Sequence, residues 1–556
     1  MNLLNDPWMP VRDAQGQRAW VTPERLAEPQ WRAFDADRPD FNGALAQFAI
    51  GLLQTTTPVA NSMEWRALFK APPDAATLRQ WFAPLAEAFV LDGEGPRFMQ
   101  DPDLGTEGVA VNEIGALLID APGESTLKNN TDHFVKRAQV RALCPACAAL
   151  ALFTLQLNAP SGGAGHRTGL RGGGPLTTLV LAPAESSLWQ HLWMNVREKD
   201  QFLSHGGDSA QTHPQRAFPW LGPITALQAV KGEMAQSQVH PAHLFWAMPR
   251  RIRLDTGHHR AGTCDVCART ANALISRYTT KNYGLNYKGE WHHPLSPYYE
   301  TKEGWLPLHP QPDGLGYRHW LAWVLGAASE RKTTRVAAVV DRTVTSLQRQ
   351  TNGALRLWAF GYDMDNMKAR CWYESTLPLY GISDCDAEAR KNLQAEVSRW
   401  LVAAELAAMY LRGAVKGAWF SSDARGDFAH VDATFWSSTE ALFYRHLQTL
   451  IGTTREMGEA RAAHDAADST ALPLREAWHG ALSRTALRLF DTTFVGTGPI
   501  ERQNPRRIAL AHKQLRHSLH GPKLKLALGL AVPEPPDKPP RKTAKRKSTP
   551  GDKEAA

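Results

Sequence analysis

The chain has 556 residues, 43% of them hydrophobic, with 19 tryptophans and a formal charge of +8. That length exceeds what a single core sustains, so two or more folded units are expected, and so small an excess of positive charge confines any nucleic-acid contact to a local patch. No apolar stretch approaches a membrane span, no basic segment followed by an apolar one opens the chain, and the six cysteines fit metal binding in a reducing compartment better than a secreted disulfide framework, so a cytoplasmic protein without membrane attachment is expected.

Apolar residues at Trp8–Val11 and Ala19–Val21, around the turn-forming Asp13–Gly16, predict an opening hairpin. Leu45, Phe48, Ala49, Leu52 and Leu53 recur at helical spacing and predict a core helix over 42–54, with Asn42 as its cap. Between Gly123 and Arg141 the texture turns polar and basic, with Lys128, Asn129, His133, Phe134, Lys136, Arg137 and Arg141. Such a segment is either a solvated face or an exposed loop whose cations and aromatic meet phosphates and bases.

It leads into Cys144-Pro-Ala-Cys147, and a second pair, Cys264-Asp-Val-Cys267, lies far downstream. A two-residue gap lets each pair turn both sulfurs toward one tetrahedral cation, and zinc is the default metal for four soft thiolates. A closed four-thiolate shell leaves no position for water, which makes the zinc structural; the competing readings are buried free thiols or a redox pair. The first pair runs through an apolar segment into Ser161-Gly162-Gly163-Ala164-Gly165 and on to Gly172–Gly174. This glycine-dense region matches neither a P-loop nor a dinucleotide fingerprint. It is either a plain connector or a place where backbone N–H groups approach a groove that side chains would block.

Ser186–Val196 reads as a helix. His258-His259 and His292-His293 flank the second cysteine pair and are taken as structural or nucleic-acid-facing, because four thiolates suffice for the metal. Lys281, Asn282 and Lys288 follow that pair closely enough for a metal knuckle to hold a basic side chain. Leu355–Phe360 alternates as a strand, Gly361–Met367 is turn-forming and Lys368–Tyr373 returns, which places Asn366, Met367 and Lys368 at a hairpin tip. An apolar tip residue between polar ones can wedge between base pairs, although most tips do nothing of the kind.

Beyond Cys385 four amphipathic stripes predict a four-helix bundle: Leu393 to Val415, Phe443 to Leu450, Leu474 to Leu489 and Ile508 to Leu519. Arg506, Arg507, Lys513 and Arg516 give the last helix a basic side, either solvated or tracking a phosphate backbone. The Pro- and Lys-rich end is expected to be disordered. The predicted fold is α+β: a large mixed domain over 1–380 stapled by structural zinc, a helical bundle over 381–530 and a basic tail over 531–556.

Several stretches taken together resemble the CasA family, the large subunit of the type I-E CRISPR Cascade complex. They are Asn2-Leu-Leu-Asn-Asp-Pro-Trp-Met-Pro-Val11, the first cysteine pair leading into Ala159-Pro160 and Gly169-Leu-Arg-Gly-Gly173, the second cysteine pair, Trp291-His-His-Pro294 and the C-terminal helices. The resemblance implies a non-catalytic subunit that works with other Cascade subunits and CRISPR RNA. It reads the protospacer-adjacent motif of double-stranded target DNA from the minor groove, helps open the duplex and recruits a helicase-nuclease. By position, the family's glycine loop falls on Ser161, Gly162, Gly163 and Ala164, and its groove-inserting lysine falls on Asn282, with Lys281 adjacent. Its wedge hairpin falls on Gly361 onward, with Asn366-Met367-Lys368 where the family can carry a glutamine. The loop 128–141 matches the segment that docks near the 5′ end of the guide RNA, and the cysteines match the family's zinc site. The rival reading is a zinc-dependent nuclease or hydrolase using the paired histidines, which would need an open metal position and a carboxylate base.

Overall fold

A computed structural model describes residues 1–532 apart from 131, 133–134, 136–137, 205–213, 230, 313, 329–332, 348–353, 366–367, 421–425, 461–463, 497 and 499–502. The expected disordered tail, the wedge residues Asn366 and Met367, and His133, Phe134, Lys136 and Arg137 of the basic loop therefore lie outside the described residues.

The predicted hairpin is present as strands Met9–Asp13 and Arg18–Val21, extended by Trp31–Phe34 into a three-stranded antiparallel sheet. The Asp13 carboxylate accepts from the backbone N–H groups of Gln15 and Gln17 and so closes the turn. The core helix that follows runs over Pro39–Thr56, beginning three residues before the expected start. Pro39 sits in its first turn, where a missing N–H costs nothing, and Asn42 is not the cap: its side chain accepts from Ala36 N instead. Phe48 at its centre packs edge-on against Trp8, Phe89, Phe98, Phe153 and Trp246, rings drawn from five separated stretches of chain. Such edge-to-face pairs add about 0.5–1.5 kcal/mol each beyond the area they bury, which gives the many aromatics a common purpose.

Phe153 belongs to the helix Pro145–Asn158, almost wholly buried. The second cysteine pair sits in the turn of the hairpin Arg260–Thr263 and Thr270–Leu274, and the chain continues into Arg277–Lys281. That strand is the middle of an antiparallel sheet with Ala110–Glu113 and Arg251–Leu254 at its edges. The helix predicted over 186–196 is shorter, Leu188–Trp193, with a Ser187–Gln190 capping box. Asn195 leaves the helical path because its side chain both accepts from Val180 N and donates to Val180 O.

The later hairpin is longer than expected. Strands Arg356–Asp365 and Lys368–Pro378 pair along their whole length, with Thr177–Leu181 on the other side of the first strand. Gly361 to Asp365, expected as a turn, is strand because its polar groups have partners there. The Tyr362 hydroxyl donates to Asp40 at 2.7 Å, and Asp363 accepts two bonds from the Arg370 guanidinium.

From Ala387 the chain is helical: Ala387–Trp419, Ala429–Ala460, His464–Leu489 and Pro505–Leu519, followed by the short Pro522–Ala527. The predicted stripe Leu393, Val397, Trp400, Ala404, Ala408, Leu411 and Val415 is buried throughout, as are Phe443, Leu447, Trp478, Leu482, Leu515 and Leu519 facing it. Glu396 is buried within this apolar seam. It receives both arms of Arg475 at 2.8 Å and the Trp400 indole N–H at 2.8 Å. Among the described residues no helix is long and apolar enough to cross a membrane.

Candidate functional site

Cys144, Cys147, Cys264 and Cys267 converge, all four buried, with their sulfurs within 4.8 Å of one another. Cys144 caps the helix Pro145–Asn158, its Sγ accepting from Cys147 N. Cys264 and Cys267 occupy a tight turn in which Ala268 N donates to Cys264 O and Ala268 takes a positive φ of 56°. Asp265 in the same turn ties the two knuckles, accepting at one oxygen from the N–H groups of Arg141 and Ala142. Next to them Leu143 and Ile275 form an isolated antiparallel bridge. The hairpin is also held to the first sheet by the Arg269 guanidinium, 4.0 Å from the centre of the Trp20 ring.

The separation of Cys144 and Cys267 Sγ is 3.7 Å, far beyond a disulfide. A tetrahedral zinc with bonds of about 2.3 Å to sulfur has an S–S edge of about 3.8 Å, so the donor set fits that ion. Without a cation the four thiols compete. Hydrogen bonds to its three neighbours, and then burial, hold Cys147 above its ordinary value, while bonds from Cys144 and Cys147 hold Cys264 far below it. A divalent ion would let all four ionise. Among the described residues these four are the one such group of potential metal ligands, and the paired histidines do not join it. His258 is exposed beside Asp255, His292 lies against Glu290 and Arg335, and His293 is fully buried with its ring nitrogen Nδ1 accepting from Leu295 N.

Two arms leave this cluster and meet again. One is the helix Pro145–Asn158, about 21 Å long at 1.5 Å per residue, which delivers Ser161–Ala164 to the surface with all four residues exposed. The other runs from Cys267 through Thr270–Leu274 and Arg277–Lys281 to Asn282. At the far end the Asn282 amide donates to Ala164 O at 3.0 Å and Tyr283 N donates to Gly165 O at 2.9 Å. Gly165 has a φ of +80°, and a Cβ there would lie 2.7 Å from Cβ of Asn282, so only glycine permits this closure. Gly163, with φ +96°, has open space where a side chain would be. Beneath the loop Arg250 donates to His166 and to Pro160 O, and its burial pulls its guanidinium down to about 10.

The remaining candidates are dispersed. Lys281, half-buried, donates to Leu104 O at 3.3 Å, so Asn282 rather than Lys281 touches the glycine loop. Lys288 is exposed but paired with Glu233 at 2.6 Å. Lys128 ends the short helix Glu124–Lys128, Asn129 follows it exposed, and Arg141 lies beside the Cys264 turn. Lys368 opens the return strand of the long hairpin, exposed and opposite Asp365. Arg506, Lys513 and Arg516 are exposed on Pro505–Leu519, and Arg507 donates to Trp419 O. None of these stands against the glycine loop. Tyr283, whose N–H donates to Gly165 O, does, and its ring carries Arg167 and Lys231; none of the three was a candidate from the sequence. The chain neighbours Asn282-Tyr283 were the available signal, but that two cations share that ring is a long-range fact with no spacing to betray it.

Residues 2–489 match the family model for the CRISPR-associated protein Cse1. The fold is similar to crystal structures of CasA from Thermus thermophilus (17% identity, TM-score 0.64, covering 93% of this chain and 99% of that one) and of Cse1 from Acidimicrobium ferrooxidans (19%, 0.59, 93% and 97%). It is also similar to a chain of a CRISPR RNA-guided surveillance complex (17%, 0.65, 94% and 99%). With a family match over most of its length, and a fold shared with these structures over more than nine-tenths of it, the chain belongs to the Cse1 family of CRISPR-associated proteins.

Proposed function

We propose that this chain is the non-catalytic large subunit of a type I-E Cascade complex, working in the cytoplasm with the other subunits and CRISPR RNA. It reads the protospacer-adjacent motif in double-stranded DNA, helps to open the duplex and recruits the helicase-nuclease. Family membership and the likeness to a chain of an RNA-guided surveillance complex support the setting. The observation that carries the reading is the exposed Ser161–Ala164 loop, free of bulky side chains and pinned by Asn282 and Tyr283 at the end of two arms that start from the four cysteines. A backbone presented in this way can enter a minor groove about 6 Å wide, where a side chain would clash.

In this reading Cys144, Cys147, Cys264 and Cys267 hold a structural zinc, which supplies rigidity and no chemistry of its own. Gly162 and Gly163 approach the base edges, Asn282 holds the loop, and Lys281 stands behind it. The long hairpin carries Asn366, Met367 and Lys368 to the duplex as a wedge. The segment 128–141 docks toward the guide RNA, and Lys288 with the basic side of Pro505–Leu519 tracks the DNA backbone. Residues 381–530 act as a four-helix bundle unit on the motif-reading domain 1–380. The rival zinc-dependent nuclease or hydrolase has no observation in its favour, since four cysteines complete a tetrahedral shell and the histidines do not converge on it.

The test is recovery of the chain with a guide-RNA complex, followed by binding of duplexes with a randomised motif. Motif-dependent binding that requires the chain is expected. Failure to join the complex, or DNA cleavage by the purified chain with a divalent metal, would overturn the reading.

A further inference from the structure

Tyr283 carries two cations on one ring. The Arg167 guanidinium carbon lies 5.7 Å from the ring centroid and the Lys231 ammonium nitrogen 5.8 Å. They come from different segments: Arg167 from the glycine loop itself, Lys231 from the turn that follows residue 230. The ring they share is fixed by its backbone, which is bonded to Gly165 O and has a φ of 64°, a left-handed conformation that costs a non-glycine residue roughly 1–2 kcal/mol. Strain of this kind persists where the surroundings over-determine it, and functional sites are where it collects.

The two cations differ from the lysines around them. Lys281 donates to Leu104 O, and Lys288 is in an exposed ion pair with Glu233. Among the described residues neither Arg167 nor Lys231 is in an ion pair, and Arg167 Nε is buried with no hydrogen-bond partner. A neutral ring attracts each cation weakly but does not neutralise either. Two like charges therefore lie within 6 Å of one ring whose own backbone is bonded to Gly165 of the glycine loop, and a polyanionic strand passing that ring would present acceptor oxygens to both. A groove that admits this loop is bordered by phosphates, which position a protein without specifying sequence.

We propose that Arg167 and Lys231, held over Tyr283, form a phosphodiester clamp that grips the backbone of duplex DNA at the mouth of the Ser161–Ala164 loop. This rests on the motif-reading function proposed above and deepens it by separating grip from readout. The glycine loop reads; the clamp holds the register.

The test uses the full chain assembled with its guide-RNA complex, in the forms Arg167→Gln, Lys231→Gln, the double variant and Lys231→Arg, with short duplexes that carry or lack the motif. The double variant is expected to bind about tenfold more weakly to both kinds of duplex, with an unchanged preference between them and a log–log salt slope shallower by about 2. Lys231→Arg keeps affinity and slope. Because Lys231 is exposed, its substitution does not threaten folding, and a matching melting curve confirms it. Unchanged affinity and slope, with motif preference abolished by Gly163→Val, would overturn the clamp and leave the motif-reading function standing; preference intact in Gly163→Val as well would overturn both. Loss of assembly with guide RNA at unchanged DNA affinity would show that the cations grip RNA, and the proposal falls.

Discussion

From Ala387 to Leu519 the chain is held by repetition, whereas the Ser161–Gly165 loop, at the end of two arms that start from the cysteines, is held by a few pins. In the helices a buried side chain recurs every three or four residues, and the loss of any one leaves dozens of others in place. Around the cysteines, contacts 123 residues apart in sequence decide the geometry, and each pin acts alone: four sulfurs at one end, the Asn282 amide and Tyr283 N–H at the other. A periodic interface tolerates change because it is redundant; a pinned loop holds a position more sharply and fails all at once.

The strongest way to break this contrast is to disturb the four-cysteine site, which in the proposed reading holds a zinc. Structural zinc sites carry about 10–16 kcal/mol of apparent binding free energy, so Cys264→Ser or chelation should release one zinc per chain and expose the region to proteolysis between 142 and 283. Most of the helical circular dichroism should persist. Stoichiometric zinc in Cys264→Ser, measured by elemental analysis, would contradict the site. Next in size is Glu396→Ala. It removes the carboxylate that accepts both arms of the buried Arg475 guanidinium and should cost about 3–5 kcal/mol in denaturant unfolding, because here the helical region also relies on a pin. Glu396→Ala with an unshifted midpoint would mean that the stripe alone suffices.

Gly165→Val comes third. A β-branched residue at positive φ, driven into Asn282, should cost about 1–3 kcal/mol locally and sharply weaken motif discrimination while zinc content stays at one. Asn282→Ala removes a single hydrogen bond worth about 1 kcal/mol; a several-fold loss of motif preference, with the salt dependence unaltered, is expected in duplex titrations. Smallest are Arg506→Gln and Lys513→Gln, exposed on the last long helix. Their effect on stability should stay within about 0.5 kcal/mol, and a larger shift in the melting curve would show that this face is packed.

The periodic part was legible from the sequence, because burial every three or four residues is a local property. Leu393 to Val415 and Phe443 to Leu450 were found in place for that reason. The cysteine pairs were legible too, since two-residue gaps and soft ligands carry their own chemistry. Where long-range partners decide, local pattern misled. Asn42 looked like a cap but serves Ala36, Asn195 cut a helix short to hold Val180, and Gly361–Asp365 looked like a turn until Asp40 and Arg370 supplied partners for Tyr362 and Asp363. Asn282 was identified by position against a family pattern in which a lysine is expected, and its bond to Ala164 gives it a holding role that no spacing in the chain announces.

The helix Pro145–Asn158 also works as a gauge. Because both arms start from one knot of sulfurs and close on Asn282, their lengths must agree as the two sides of a frame agree. One residue added to the helix would swing the loop by about 100° and push it out by about 1.5 Å, breaking the closure. Insertions and deletions in this chain's lineage should therefore be crowded out of 145–165 and 267–283 and collect elsewhere, a record of the frame written in lengths rather than in residues.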